Sequence, residues 1–434
     1  MNNLFSQNNS FSGSADNRVS GTMQLCGAGW LQGFTSSNQP YTRHQGRIMI
    51  RTGRYPITSL KLPLIGWNVS GNFVKTNLPK TYTISFAIER VNGTQVTASQ
   101  PILYGGSSSV AVTAGNSFIS DDWCTINGGF ASDERFWLRW DVNVPTSGIL
   151  FYTGTDAAIG GPWTDQSTGF TTNTPINSVT DIGLFSATGG TSLTVFPPAC
   201  YGGLIATYQY QKTAALLIGD SKTSGTGSLT DGLSGRSATW RAMFDFSVPT
   251  YVAAIAGSTL QAAASLSSSA WWMTAYVTDV FIQLAVNDLT GARTLTNLQT
   301  DLNTLITNIK VSNPAARFWV AKCEPHTTST DSWTTVANQT FFDAATTHPT
   351  GTRNTWNAWL DTQVGTLLFG VLDPNVAVEA GGSNQTGKWA VYGSATASTG
   401  DGLHEAENAH AILTGAYEKQ LLQKGFIPNT GYGS

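Results

Sequence analysis

Ala214-Ala215-Leu216-Leu217-Ile218-Gly219-Asp220-Ser221 is an unbroken apolar run that closes on a glycine, an acid and a hydroxyl. A short apolar stretch bounded by a turn signal suits a buried strand of a parallel sheet. Gly219 permits a tight strand-to-helix turn that lifts the serine hydroxyl clear of the sheet. The N–H groups opening the next helix can then face a developing negative charge. Taken alone, the tripeptide reads equally as a nucleophile or as a helix cap, where Ser is among the best residues.

Downstream of Lys212 the same pattern recurs. Short apolar runs at 214–218, 277–284, 318–321 and 376–378 read as further buried strands. Between them, Leu295, Leu298, Leu302, Leu305 and Ile306 have helical spacing within 295–311, and 352–367 and 406–422 read as two more helices. Strand–helix alternation predicts a three-layer α/β domain with a parallel sheet over residues 212–434. Ligands in such sheets bind beyond the carboxyl ends of the strands, which is where Ser221 and Asn287 fall.

Upstream, residues 1–153 read as an all-β domain. Tyr82, Ile84, Phe86 and Ile88 alternate with Thr83, Ser85, Ala87 and Glu89, and Phe136, Leu138, Trp140, Val142 and Val144 alternate with Arg135, Trp137, Arg139, Asp141 and Asn143. That period of two marks half-buried strands. Shorter candidates at 48–50, 110–112 and 149–152, separated by Gly, Asn, Ser and Pro, suggest an antiparallel sandwich of jelly-roll type. Trp137 falls on the outward face with Arg135 and Arg139, where it would serve as a carbohydrate or partner contact. Residues 154–211, rich in Gly, Thr, Pro and Asn, read as an extended connector laid over the domains, because Trp163, Phe170, Phe185 and Phe196 would otherwise stand in water.

Composition narrows the function classes. The 434 residues carry 23 Lys and Arg against 26 Asp and Glu, a formal net charge of −3, and only 11% are charged. An ordinary soluble domain carries about 25%, so Ser, Thr, Asn and Gly must make this surface polar, as is common in secreted and virion proteins. No basic patch recurs, and nucleic acid is not an expected partner. Cys26, Cys124, Cys200 and Cys323 are scattered without a C-x-x-C pair, so neither a zinc site nor a redox motif is indicated, and buried thiols are expected more than a disulfide framework. Neither metal nor cofactor is expected. No apolar stretch approaches the ~20 residues of a membrane span, and the start lacks the basic and apolar regions of a signal peptide.

Asp401-Gly402-Leu403-His404 supplies what a serine nucleophile needs: an imidazole to take its proton and a carboxylate to hold that imidazole in one tautomer. His410 lies close enough to compete for the role; His44, His326 and His348 lack an equally placed acid. Asn287, after Val280-Phe281-Ile282-Gln283-Leu284, can project its amide from a strand end towards the same crevice, and Gly257 can offer a backbone N–H.

In this order, Gly-Asp-Ser, a strand-end Gly, a strand-end Asn-Asp and a late Asp-x-x-His resemble the SGNH (GDSL-type) hydrolase family over residues 212–425. Arg353-x-x-x-Asn357 looks like a helix found in many members. The resemblance implies Ser221 as nucleophile, His404 as general base and then acid, and Asp401 as the orienting carboxylate. The N–H groups of Ser221 and Gly257 and the side chain of Asn287 would make the oxyanion hole. Three positions depart from the family pattern: Ala285 stands for a usual Gly, Lys222 for an apolar residue, and Glu405 for a common Pro. The lipase G-x-S-x-G elbow does not occur.

The expected activity is hydrolysis of acyl esters on carbohydrate, most concretely removal of O-acetyl groups from a polysaccharide through an acyl-enzyme. The β-domain would dock the polymer or attach the enzyme to a larger assembly. A soluble extracellular or phage-virion enzyme fits the low charge and the Asn/Ser-rich start. The rival readings are a broad short-chain esterase or lipase-like enzyme, and a glycan-binding virion protein whose hydrolase fold does not turn over. Sequence leaves the oligomeric state, the sugar and the acyl position open.

Overall fold

The computed structural model describes residues 42–143 apart from 53–55, 79, 93–94 and 133; the segments 23–25, 29–30, 167–172, 191–193 and 202–208; and 213–426 apart from 228–236, 247, 344–349, 384–385 and 394–395. The first half is β-rich and antiparallel. Val110–Val112, Tyr82–Asn92, Arg135–Asn143, Arg43–Arg51, Ser167–Thr172 and Thr191–Leu193 neighbour one another in that order, and Gln95–Pro101 pairs with Tyr82–Asn92. Met23–Leu25, Ile205–Tyr208 and Ile57–Lys61 form a smaller antiparallel sheet. Ile84, Phe86, Ile88, Phe136, Leu138, Trp140 and Val142 share one buried core with Ile57, Leu60 and Ala206 from the smaller sheet. Segments of the 154–211 stretch therefore pair into both sheets. The expected strand at 149–152 and the connector residues Trp163, Phe185 and Phe196 lie outside the described residues.

One expectation on this half is corrected. Trp137 is not an open contact surface, for it is only 5% exposed and Arg139 only 1%. The Arg47 guanidinium lies 4.2 Å from the Trp137 ring centroid, and Arg139 pairs with Glu89 at 2.9 Å. The period of two is real, but around Trp137 and Arg139 the second face is buried as well, while Arg135 at the strand's start stays exposed.

The second half is built on parallel strands β1 (Ala215–Gly219), β2 (Thr250–Ala254), β3 (Asp279–Gln283), β4 (Arg317–Ala321) and β5 (Gly370–Leu372). Their order is β2-β1-β3-β4-β5, with the two-residue strand Gly29–Trp30 added in parallel beside β2. Every residue of β1, β2 and β3 is buried, as a sheet covered on both faces requires. Helices α1 (Ser221–Ser224), α2 (Ala238–Asp245), α3 (Leu260–Ser265), α4 (Val286–Thr290), α5 (Leu295–Ser312), α6 (Thr352–Thr362) and α7 (Glu407–Gln423) fill the connections. Leu216, Ile218, Val280 and Ile282 pack with α3, α5 and α6 on one face. Leu217, Val252, Phe281 and Trp319 pack with α2 and α7 on the other. This is the expected three-layer α/β arrangement. Ile65, Trp67, Val69 and Phe73 of the β-rich half belong to the first of these two cores, so the halves share apolar packing.

Two element assignments change. Residues 376–378 are not a strand: Pro374 has αR dihedrals and opens the short helix Asn375–Val378, while the fifth strand is Gly370–Leu372. The helix expected over 352–367 ends at Thr362, where the N–H groups of Thr366, Leu367 and Leu368 converge on the Gln363 carbonyl. Cys124 and Cys323 are buried; Cys26 and Cys200 lie outside the described residues. Among the described residues, no helix is long and apolar enough to cross a membrane.

Candidate active site

Ser221 is the first residue of α1, two residues beyond the end of β1. A Cβ at Gly219 would lie 1.8 Å from Thr223 Oγ1, so the turn between strand and helix admits only glycine. Asp220 is the N-cap, and its carboxylate accepts the Lys222 N–H at 2.9 Å. Capping thus falls to Asp220, and the Ser221 hydroxyl is left for another partner.

That partner is His404. Its Nε2 lies 2.7 Å from Ser221 Oγ, and its Nδ1 lies 2.6 Å from Asp401 Oδ2. Asp401 Oδ1 accepts the N–H groups of Leu403 and His404 at 2.9 and 2.8 Å, which folds the Asp-x-x-His segment back on itself. Burial works against the Asp401 carboxylate, but these bonds and the His404 ring outweigh it and hold its pKa well below the usual carboxylate range. Gly402 has φ +80°, and a Cβ there would come within 1.9 Å of the Thr327 carbonyl oxygen. His410 does not compete: its ring is buried and its Nε2 lies 3.4 Å from the Thr226 carbonyl.

Asn287 sits in the first turn of α4, beyond β3. Its Nδ2 donates to the Ser258 carbonyl at 2.9 Å and to Asp220 Oδ2 at 3.2 Å, which draws together the ends of β1, β2 and β3. Its neighbour Asp288 accepts the Leu260 and Gln261 N–H groups that open α3, at 2.7 and 3.2 Å. Gly257 turns with φ +76°, and nothing occupies the space where a side chain would point. Ala285 has φ +97°, a left-handed conformation that suits the glycine it replaces. Burial pushes the Asp220 carboxyl up to about 7, against the pull of the Lys222 N–H and ammonium.

Sequence reasoning missed what lies behind this row. Lys222 is 2% exposed; its ammonium donates to the Leu403 carbonyl at 2.6 Å and stands 3.5 Å from Glu324 and 3.6 Å from Glu405. Lys222 and Glu405, two of the three departures from the family pattern, thus face each other. Glu324 carried no signal of its own. It is held by Gln283 Nε2 at 3.1 Å, while Arg353 and Asn357 anchor the backbone of Cys323 and Glu324. His326 stacks on Phe342 with centroids 4.0 Å apart, and its Nδ1 lies 3.4 Å from Thr290 Oγ1 at the end of α4. Burial, then the Lys222 charge, lowers its pKa to about 4. Trp271, Trp319, Trp356 and Trp389 are among the tryptophans buried in the core of this half, and Trp389 Nε1 donates to the Gly402 carbonyl at 2.8 Å.

A hydroxyl bonded to an imidazole, an imidazole bonded to a carboxylate, and amide donors across the same strand ends are the parts of nucleophilic acyl transfer. They lie where β1 connects to β2 on one side and β3 on the other, the switch point at which open α/β sheets bind ligands. With this strand order, three of the sequence blocks at the ends of β1, β2 and β3 and the fourth in the loop before α7, residues 213–426 have the SGNH-hydrolase-like fold that the resemblance implies.

No family model matches the chain, and no curated protein does. Among solved structures, it is similar to a possible lipase from Chitinophaga pinensis at 15% identity and TM-score 0.34, over 50% of this chain and 100% of that one. It is similar to a family two carbohydrate esterase from Clostridium thermocellum, solved with cellohexaose, at 11% identity and TM-score 0.35, over 93% of this chain and 100% of that one. The M. smegmatis aryl esterase matches at 16% identity and TM-score 0.34, over 49% and 99%.

Proposed function

We propose that the chain is a serine ester hydrolase of SGNH type that removes O-acetyl groups from a polysaccharide. The observation that carries the hydrolase reading is the continuous path from Ser221 Oγ to His404 Nε2 at 2.7 Å and from His404 Nδ1 to Asp401 at 2.6 Å. In this reading His404 takes the hydroxyl proton as Ser221 attacks the ester carbonyl. Asp401 holds the ring in the productive tautomer and stabilises the imidazolium as it forms.

The tetrahedral oxyanion is received by the Ser221 and Gly257 N–H groups and the Asn287 amide. Both Asn287 protons are engaged at rest, and the longer bond, to Asp220, is the one an oxyanion takes over. As the tetrahedral intermediate collapses and the ester C–O bond breaks, His404 gives its proton to the departing sugar oxygen, which leaves as the alcohol. Water then cleaves the acetyl-enzyme by the same steps in reverse.

The carbohydrate preference rests on the β-rich half that packs against the hydrolase half and on a composition whose polarity comes from Ser, Thr and Asn rather than from charge. The test is acetate release across a panel of acetylated polysaccharides, set against p-nitrophenyl acetate and longer acyl esters, with Ser221→Ala as control. Release from polymer, lost in the control, supports the reading. Activity confined to small esters makes the protein a general short-chain esterase. Glycan binding without release from either protein identifies a non-catalytic binder.

A further inference from the structure

We infer that Lys222 is a positioning residue for His404, acting through the Leu403 carbonyl and held there by Glu324 and Glu405. The inference rests on the ester-hydrolase reading above and adds a group to that site.

The peptide between Leu403 and His404 is gripped at both poles. Its N–H donates to Asp401 Oδ1 at 2.8 Å, and its carbonyl accepts the Lys222 ammonium at 2.6 Å. The orientation of that peptide sets the direction in which the His404 side chain leaves the backbone. The preceding carbonyl, of Gly402, is held by Trp389 Nε1 at 2.8 Å and by the Thr327 N–H at 3.0 Å. Lys222 follows Ser221 in α1, so one side chain ties the nucleophile's helix to the base's loop from the far end of the chain.

An apolar residue would fill this space at lower cost. Burying an ammonium is expensive unless it is paired and hydrogen-bonded, and a buried ion cluster adds little or nothing to stability over a packed apolar one. Here the side chains of Lys222, Glu324 and Glu405 are each 1% exposed, and the ammonium also stands 4.9 Å from the Trp389 ring centroid. Glu324 and Glu405 come from different loops, after β4 and before α7, and both point at one ammonium. Stability does not call for such a convergence; a fixed Leu403 carbonyl does. Opposed burial and charge act on this cluster as expected: burial and the Glu405 charge raise the Glu324 carboxyl, and Lys222 lowers it.

The test compares the wild type with Lys222→Met and with Lys222→Met/Glu405→Gln, the second removing a carboxylate together with its partner. Turnover of p-nitrophenyl acetate and near-UV circular dichroism are measured for each. A displaced imidazole costs turnover rather than binding, so the folded variants should lose roughly 10- to 100-fold in kcat with KM changed by less than about twofold. A folded double variant that keeps more than half of the wild-type kcat overturns the proposal, as does a loss confined to KM. Failure of both variants to fold also overturns it, because the cluster would then serve the fold and not His404. No turnover by the wild type sinks the ester-hydrolase reading itself, an outcome distinct from all of these.

Discussion

His404 Nε2 lies 2.7 Å from Ser221 Oγ, while the Nε2 of His410, six residues further on, lies 3.4 Å from the Thr226 carbonyl. Two histidines near one another in sequence therefore have different surroundings, and variants should separate them. His404→Ala should lower turnover nearly as far as loss of Ser221, because the serine then has no base. His410→Ala should leave most of the activity in whatever protein folds. Equal losses in kcat per folded molecule would show that the pairing is misassigned.

Asn287→Ala should lower kcat by roughly 10²–10³ with KM nearly unchanged, because its bond to the substrate strengthens only as the oxyanion forms. The same change takes one donor from the Asp220 carboxylate and one from the Ser258 carbonyl. Single-turnover kinetics separate the two consequences: a slowed acylation step is expected, and a loss seen only in substrate binding would refute the oxyanion role.

Ala285→Gly should stabilise the protein. At φ +97° a Cβ is strained, and relief of that strain less the added freedom of glycine in the unfolded chain leaves a gain of about 1 kcal/mol. The urea midpoint should rise with an unchanged slope. A lower midpoint would mean that the alanine methyl contributes more by packing than it costs in backbone strain.

Acid should weaken the fold through His410. Burial first, then the Arg241 charge, lowers its pKa to about 4, whereas an unfolded histidine titrates near ~6.5. Between those values the unfolded chain binds a proton that the folded chain refuses. Stability present above pH 6.5 is therefore lost as pH falls towards 4, by up to roughly 3 kcal/mol. His410→Gln lacks this contribution, so its difference in urea midpoint from the wild type should shrink across that window. A difference that stays constant with pH would contradict the assignment.

What could be read before folding was local. The run before Gly219 and the runs at 277–284 and 318–321 announce β1, β3 and β4, because a strand covered on both faces has to be apolar throughout. Val376-Ala377-Val378 looks no different in composition, yet Pro374 turns it into a helix, and the three residues of β5 are too few to stand out. Trp137 shows a second limit: alternation tells which side a residue faces, not whether that side is covered. Ser221, Asp401 and His404 drew notice because each carries its own flanking signal. Lys222, Glu324 and Glu405 meet only after helix α1 and two distant loops have converged, and such a convergence leaves no periodicity in the chain. Lys222 and Glu405 were visible merely as departures from a pattern; their pairing is a property of the fold.

The most direct measurement on the central claim is covalent trapping of the nucleophile. The protein is treated with a fluorophosphonate, which phosphonylates an activated serine hydroxyl, and the modified residue is located by peptide mass spectrometry. The account predicts one rapid adduct on Ser221, absent from Ser221→Ala and strongly slowed in His404→Ala, with hydrolysis of p-nitrophenyl acetate lost in proportion. Ser221→Ala itself should lose on the order of 10⁶ in turnover if the serine acts within a full triad. An adduct on another residue, or a pure and folded Ser221→Ala that keeps a tenth of the wild-type rate, would contradict it.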